Sequence, residues 1–117
     1  GVLFTDRQRL MQLLLNLCTH ALREARGRIE VHVREIDDDT FAFDVRNDGP
    51  APSDEALARA FEPFATGGRS HAEGSGLGLA IARQIALSMG GGLEASRDGD
   101  ANVLTAVLPQ SSPSPST

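Results

Sequence analysis

The stretch "GSGLGLAIARQIALSMGG" (Gly74–Gly91) joins three alternating glycines directly to an amphipathic segment. Gly74, Gly76 and Gly78 can adopt backbone angles that are closed to other residues, and they allow a ligand to approach the main chain. The helix predicted from about Leu77 to Met89 begins at once, so its unpaired N–H groups and positive end face the glycines and favour an anion. Alone, this pattern is more typical of a glycine-rich turn than of a phosphate-binding loop. Other parts of the sequence are needed to choose between the two.

The composition describes an ordinary globular domain. The chain has 117 residues, 40% of them hydrophobic and 23% charged, which suits a single domain. Its net charge of −5 argues against a nucleic-acid or membrane surface, and no stretch approaches the ~18 apolar residues of a membrane span. The single cysteine, Cys18, fits a reducing compartment and is expected to be a small buried residue. Because the chain begins abruptly on the apolar segment Val2–Phe4, we expect a fragment of a longer protein. We also expect this fragment to be a monomer.

A long first helix is predicted from Arg7 to about Ala25, with Asp6 as its N-cap. At 100° per residue its apolar side chains cluster on one side. These are Leu10, Leu14, Leu17, Cys18, Ala21 and Ala25. The opposite side carries the polar residues Arg9, Asn16, His20 and Arg23. Such a stripe is most simply a solvated face, but its spacing allows the last three side chains to reach one ligand.

The remaining elements are strands in adjacent pairs, with helices between the pairs. Strands are predicted over Arg28–Ile36, Phe41–Arg46, Leu93–Ser96 and Val103–Leu108, with a short helix from Ser53 or Asp54 to about Phe61 and a leading strand suggested at Val2–Phe4. Residues 1–109 form the predicted domain, and residues 110–117 a disordered Pro/Ser-rich tail. This order favours an α+β fold, with helices on one face of a mixed sheet, over a dinucleotide-binding unit.

Four stretches then stand in a fixed order along the chain. They are "DRQRLMQLLLNLCTHAL" (6–22), "NDGPAP" (47–52), "FEPF" (61–64) and the glycine-rich stretch (74–91). In this order they resemble the N, G1, F and G2 boxes of the ATP-binding catalytic domain of sensor histidine kinases. That family belongs to the Bergerat-fold superfamily, with gyrase and the heat-shock 90 chaperones. The resemblance covers residues 2 to about 109, and "FEPF…GSGLGLAIA…GG" is a highly specific combination.

The resemblance implies a Bergerat fold, an α/β sandwich in which about five mostly antiparallel strands are covered on one face by three helices. ATP would lie between the first helix and a lid at Ala65–Glu73. The residues implied in ATP binding are Asn16, His20, Arg23, Asn47, Gly49, Ala51, Phe64, Arg69, Gly74, Ser75, Gly76, Leu77, Gly78 and Leu79, with the backbone amides of residues 76–79 on the phosphates. Asn16, His20 and Arg23 would be catalytic, and Asn16 and His20 would face Mg²⁺ or Mn²⁺.

Three parts of the chain, the N box, the G1 box and the lid, depart from the family pattern. His20 stands where the family usually has a second asparagine that coordinates magnesium, so it either contacts a phosphate, acts through a metal-bound water or marks weakened metal use. Asn47 replaces the aspartate that accepts a hydrogen bond from the adenine amino group, and its amide oxygen can still accept that bond without a charge. Ala51 replaces the second glycine of the G1 box. In the lid, Arg69 substitutes for a lysine whose place is taken by Gly68.

The implied function is transfer of the γ-phosphoryl group of ATP to a histidine on a separate dimerisation domain, upstream of a response regulator. This fragment would be cytoplasmic, without contact to nucleic acid or membrane, although the parent protein can be membrane-anchored. Asn16 cannot act as a base toward water, which fits transfer rather than hydrolysis. None of the three histidines stands in an acceptor motif. Two alternatives remain: a pseudokinase with weak ATP use because of His20, Asn47 and Ala51, and a serine kinase of the anti-sigma-factor type.

Overall fold

The computed structural model describes residues 5–62 and 78–110. Its elements are α1 (Arg7–Glu24), β1 (Ile29–Asp37), β2 (Thr40–Asn47), α2 (Asp54–Ala58), α3 (Gly78–Ser88), β3 (Gly92–Asp98) and β4 (Ala101–Pro109). Every predicted helix and strand within these residues is present, with ends that shift by at most about three residues. The suggested leading strand at Val2–Phe4 and the lid at Ala65–Glu73 lie outside the described residues. No helix among those described is long and apolar enough to cross a bilayer.

The first helix begins and ends as its sequence predicts. The Asp6 carboxylate accepts a hydrogen bond from the backbone N–H of Arg9 at 3.0 Å, which satisfies one of the unpaired donors of the first turn. Leu13, Leu17 and Ala21 are completely buried. The sequence analysis missed Leu13, which lies one turn before Leu17 on the same face. Cys18 is half-buried against the core, and burial raises the pKa of its thiol, in line with an unreactive packing role.

The four described strands form one antiparallel sheet in the order β1-β2-β4-β3. About five strands were expected, and the fifth, at Val2–Phe4, lies outside the described part of the chain. The central strand β2 places Phe41, Phe43 and Val45 in the core on one face, and Ala42 on its other face is also buried. Helices α1 and α3 pack on the face that carries Phe41. The last residue of β2, Asn47, pairs in register with Asn102 of β4, so the two amides meet at one end of the sheet.

The third helix ends against the sheet through two consecutive glycines. Gly90 has a φ of +86°, a left-handed conformation that favours glycine. The N–H of Gly91 then donates to the carbonyl of Ala86 at 2.9 Å and closes the helix. Ala82 and Ala86 are completely buried, and their small side chains allow α3 to lie close to the core. The start of α3, at Gly78, is thereby held beside the middle of α1.

Gln110 was assigned by sequence to the tail, and the structure ties it to the hairpin between β1 and β2. Its backbone N–H donates to the carbonyl of Asp39 at 2.7 Å, and its side chain donates to the carbonyl of Asp38 at 3.3 Å. Contacts with the domain are thus present one residue past its predicted end at 109.

Candidate functional site

The polar stripe of α1 faces the first residue of α3. The Asn16 side-chain nitrogen donates to the carbonyl of Gly78 at 3.4 Å. A Cβ placed on Gly78 would lie 3.9 Å from a terminal nitrogen of Arg23. Two side chains seven residues apart on α1 thus meet the N-terminal end of one helix, where unpaired N–H groups and the helix dipole favour an anion. This stripe is therefore more than a solvated face.

Three different functional groups follow one another along this stripe. The Asn16 carbonyl oxygen Oδ1 accepts a hydrogen bond from Gln12 Nε2 at 2.8 Å, which leaves one lone pair. His20, one turn further, is partly buried, and Arg23 is exposed. Arg9, the fourth member of the stripe, instead lies at the helix start, 3.8 Å from Asp6. The stripe therefore carries an amide, an imidazole and a guanidinium, of which the amide of Asn16 and the guanidinium of Arg23 lie beside Gly78.

A dedicated metal cage is absent from residues 5–62 and 78–110, where no three or more His, Cys, Asp or Glu side chains are grouped to hold an ion. Asn16 and His20 supply at most two ligands, and only the amide oxygen is of the type that Mg²⁺ prefers. A divalent ion at this place would therefore depend on phosphate oxygens and water for most of its coordination.

Asn47 is buried at the end of β2, with 5% of its surface exposed. Its Oδ1 accepts a hydrogen bond from the backbone N–H of Gly49 at 2.8 Å. The same oxygen lies 3.3 Å from Nδ2 of Asn102, which also donates to it. The oxygen that the sequence analysis assigned to the adenine amino group is thus already engaged inside the protein.

Gly49 passes so close to the C-terminal end of α1 that only glycine fits. A Cβ at this position would lie 2.2 Å from the carbonyl oxygen of Glu24 and 2.9 Å from Oδ1 of Asn47. The loop after β2 is therefore anchored to the same helix that carries Asn16 and Arg23. Ala51, two residues later, is exposed, and a side chain is accommodated there.

Two residues that the sequence analysis did not single out hold this loop. Asn102 Nδ2 donates to the carbonyls of Gly49 and Pro50 at 3.3 and 3.1 Å, and Asn102 Oδ1 accepts from Arg97 at 2.7 Å. Arg97 also donates to the carbonyl of Gly49 at 3.4 Å. These residues lie about fifty positions from the loop in sequence. The pairing of β2 with β4 brings Asn102 to it, and the pairing of β3 with β4 sets Arg97 opposite Asn102.

Asp48 fastens the other side of the loop to the turn after α1. Its carboxylate accepts hydrogen bonds from the backbone N–H groups of Arg26 and Gly27 at 2.8 and 3.0 Å. Hydrogen bonds from Gly27, Arg28 and Arg26 hold the pKa of this carboxyl below its usual value. Asp48 therefore has a structural part in the loop, distinct from that of Asn47.

The Asp48 hydrogen bonds predict that the wild type and the Asp48→Asn variant differ in stability by an amount that depends on pH. A carboxyl whose folded pKa is lowered stabilises the fold above its unfolded pKa of about 3.9, and this contribution is lost as pH falls through the folded pKa. We expect Asp48→Asn to cost stability at neutral pH and to approach the wild type as pH falls from about 5 toward 3. Urea unfolding of both proteins across this range measures the difference, and a gap independent of pH would contradict the assignment.

The other predicted site residues divide into two sets. Leu79 is partly buried against the core in the first turn of α3, beside Gly78. The remaining six, Phe64, Arg69, Gly74, Ser75, Gly76 and Leu77, lie outside the described residues.

The chain matches a known family over most of its length. Residues 5–112 match the family of histidine kinase-, DNA gyrase B- and HSP90-like ATPases. The swarming motility regulation sensor protein RssA of Serratia marcescens is 37% identical over 101 residues, and the sensor protein SphS of Synechococcus elongatus is 41% identical over 96. These alignments cover 85% and 73% of this chain but only 22% and 23% of the relatives. The chain thus spans less than a quarter of their length.

Solved structures of sensor kinases have the same fold. The mycobacterial sensor histidine kinase MprB superposes with a TM-score of 0.79 at 28% identity, over 92% of this chain and 76% of that one. Full-length ShkA in complex with AMPPNP gives a TM-score of 0.77 at 29% identity, over 92% of this chain and 23% of ShkA. With the order of its boxes and the meeting of α1 with the start of α3, the chain therefore belongs to the histidine kinase-, DNA gyrase B- and HSP90-like ATPase family, as an ATP-binding catalytic domain of the sensor histidine kinase type.

Proposed function

We propose that this chain supplies the γ-phosphoryl group of ATP to a histidine on a separate dimerisation domain of its parent protein. The observation that carries the proposal is the meeting of Asn16 and Arg23 with Gly78 at the start of α3. It supports a phosphate site because a cation, an amide and the positive end of a helix share one place. The relatives are sensor proteins several times longer than this chain, which supports an acceptor domain elsewhere in the parent and a response regulator downstream.

The residues would act mainly by position and charge, as phosphoryl transfer requires. Backbone amides of residues 76–79 would bind the phosphates, with Arg23 as counter-charge and Arg69, Ser75 and Phe64 completing the site. A divalent ion, Mg²⁺ or Mn²⁺, would neutralise phosphate charge, with Asn16 and His20 as its protein neighbours. Asn16 cannot take a proton from water, which favours transfer over hydrolysis. We place this fragment in the cytoplasm, away from nucleic acid and membrane.

A second candidate is a regulatory domain of the same fold that uses ATP weakly. Two observations favour it. His20 is a poor ligand for Mg²⁺, and Oδ1 of Asn47 is engaged by Gly49 and Asn102 instead of being free for adenine. The two candidates differ in phosphotransfer, so they can be separated by experiment.

The test combines nucleotide binding with transfer. We expect calorimetric titration to give saturable ATP binding that Mg²⁺ or Mn²⁺ strengthens, and labelled ATP to phosphorylate the parent's dimerisation domain only when this chain is added. The chain alone should gain no acid-labile phosphate, because it has no acceptor histidine. His20→Asn separates the candidates: stronger Mg²⁺-dependent binding marks His20 as a degraded ligand, and weaker binding marks it as a working one.

Binding without transfer to the acceptor domain would favour the regulatory candidate. An absence of ATP binding at millimolar concentration, with or without metal, would overturn the kinase proposal.

A further inference from the structure

The hydrogen bonds around Asn47 fix the direction of its amide. The backbone N–H of Gly49 can only donate, and it lies 2.8 Å from Oδ1. Rotating the amide by 180° would set the Asn47 NH₂ group against this donor. The Gly49 N–H, which can only donate, thus decides which atom of the Asn47 amide is the oxygen and which is the nitrogen.

The second partner of Asn47 is fixed in the same way. Asn102 accepts a hydrogen bond from the Arg97 guanidinium at 2.7 Å, and a guanidinium has no acceptor. The Asn102 NH₂ group consequently faces the carbonyls of Gly49 and Pro50 and Oδ1 of Asn47. Oδ1 of Asn47 is therefore held by the Gly49 N–H and shares the two hydrogens of the Asn102 NH₂ group with the carbonyls of Gly49 and Pro50.

The group of Asn47 that remains for a ligand is its NH₂. Within the described residues Nδ2 of Asn47 has no hydrogen-bond partner, although 95% of the residue is buried. No fully buried side-chain nitrogen or oxygen in that part of the chain lacks a partner, so Nδ2 is not a sealed and unpaired donor. An aspartate here would give one oxygen to Gly49 and offer its second oxygen as an acceptor. Asparagine offers a donor at the same place.

We propose that Asn47 makes this site recognise the purine base by donating a hydrogen bond, so that the 6-amino group of adenine is not selected. This inference rests on the proposed function, because it takes the loop after β2 to be the base-binding part of a nucleotide site. Adenine carries an NH₂ donor at position 6, whereas guanine and hypoxanthine carry an oxygen acceptor there. If the Asn47 NH₂ faces the 6-amino group of adenine, two donors meet and a buried polar group stays unpaired. An oxygen at position 6 accepts a hydrogen bond from the Asn47 NH₂ instead.

The substrate class that follows is broader than ATP. ATP binds through its phosphates and ring, without a hydrogen bond from its amino group to residue 47. Purine triphosphates with an oxygen or no substituent at position 6 bind at least as well. The Asn102–Arg97 pair is then a positioning element, because it keeps Oδ1 of Asn47 turned inward without touching the base.

The test compares three triphosphates: ATP, inosine triphosphate, which has an oxygen at position 6 and a proton on N1, and purine riboside triphosphate, which differs from ATP at position 6 alone. Dissociation constants are measured by displacement of a ribose-labelled nucleotide from the wild type and from Asn47→Asp. We expect the wild type to bind the inosine and purine nucleotides at least as tightly as ATP. We expect Asn47→Asp to shift the preference toward ATP by about tenfold, the value of one buried hydrogen bond made or left unmade.

Asp48→Asn is the matched control, since it exchanges the same two groups at the neighbouring position, where the side chain faces Gly27. It should leave the ratio of ATP to inosine triphosphate unchanged. A wild type that binds ATP more tightly than both other triphosphates overturns the inference, whether or not Asn47→Asp folds, and leaves the proposed function standing. Wild-type protein that binds none of the three triphosphates overturns the proposed function and this inference with it.

Discussion

Gly49→Ala is expected to lower the free energy of unfolding by roughly 2–4 kcal/mol, which is a large part of the stability of a small domain. The added Cβ would lie 2.2 Å from the carbonyl oxygen of Glu24 and 2.9 Å from Oδ1 of Asn47. Neither the Glu24 carbonyl nor the Asn47 side chain can move away from the added Cβ easily. Glu24 is the last residue of α1, and Asn47 is held by Gly49 and Asn102. The loop must therefore move away from the helix, and its hydrogen bonds are weakened together.

Gly92→Ala is the matched control, because a Cβ on Gly92 meets no atom within 4 Å. Alanine also costs less conformational entropy than glycine on folding, so this variant should equal or slightly exceed the wild type. Urea unfolding followed by circular dichroism measures both variants, and an unchanged m-value shows that the unfolding reaction is the same. A loss of less than about 1 kcal/mol in Gly49→Ala would mean that the loop does not approach α1 in this way.

The helices and strands could be predicted because each is patterned locally. The alternation of Phe41, Phe43 and Val45 marks a half-buried strand, and Asp6 marks a helix start by the bond its side chain makes. Leu13 was missed for a physical reason. It lies near the rim of the predicted apolar side, and its burial depends on how α1 is rotated against the sheet and α3. Sequence periodicity does not give that rotation.

The candidate site was predictable where it depends on spacing along one helix. Asn16 and Arg23 lie two turns apart, and the structure brings both to Gly78. The orientation of the Asn47 amide was not predictable, because it is set by the Gly49 N–H and supported by Asn102 and Arg97, which reach this place only through the pairing of β4 with β2 and β3. In the sequence, asparagine in place of aspartate at position 47 looks like the loss of a charge. In the structure, this replacement puts an NH₂ donor where the second oxygen of an aspartate would be an acceptor.

Arg23→Ala is expected to weaken the binding of ATP by about ten- to hundredfold while leaving adenosine binding unchanged. The guanidinium of Arg23 lies by the first residue of α3, where the phosphates are proposed to bind, and charge-assisted hydrogen bonds to phosphate are among the strong ones. The base is proposed above to bind at the loop after β2, so adenosine binding should not depend on Arg23. Arg23→Lys keeps the charge and should recover most of the affinity for ATP. It cannot form the bidentate hydrogen bonds of a guanidinium, so some loss should remain.

Arg9→Ala provides the control for Arg23, since it removes the same charge from the same polar stripe of the same helix. Arg9 is fourteen positions away, about 20 Å along the axis at 1.5 Å per residue, and it lies beside Asp6. A general electrostatic effect on a triphosphate would appear in both variants and would vanish at high salt, whereas direct contact would appear in Arg23→Ala alone. Equal losses for ATP and adenosine would instead mean that Arg23 supports the loop near the base, and the phosphates would then have to be placed elsewhere on α3.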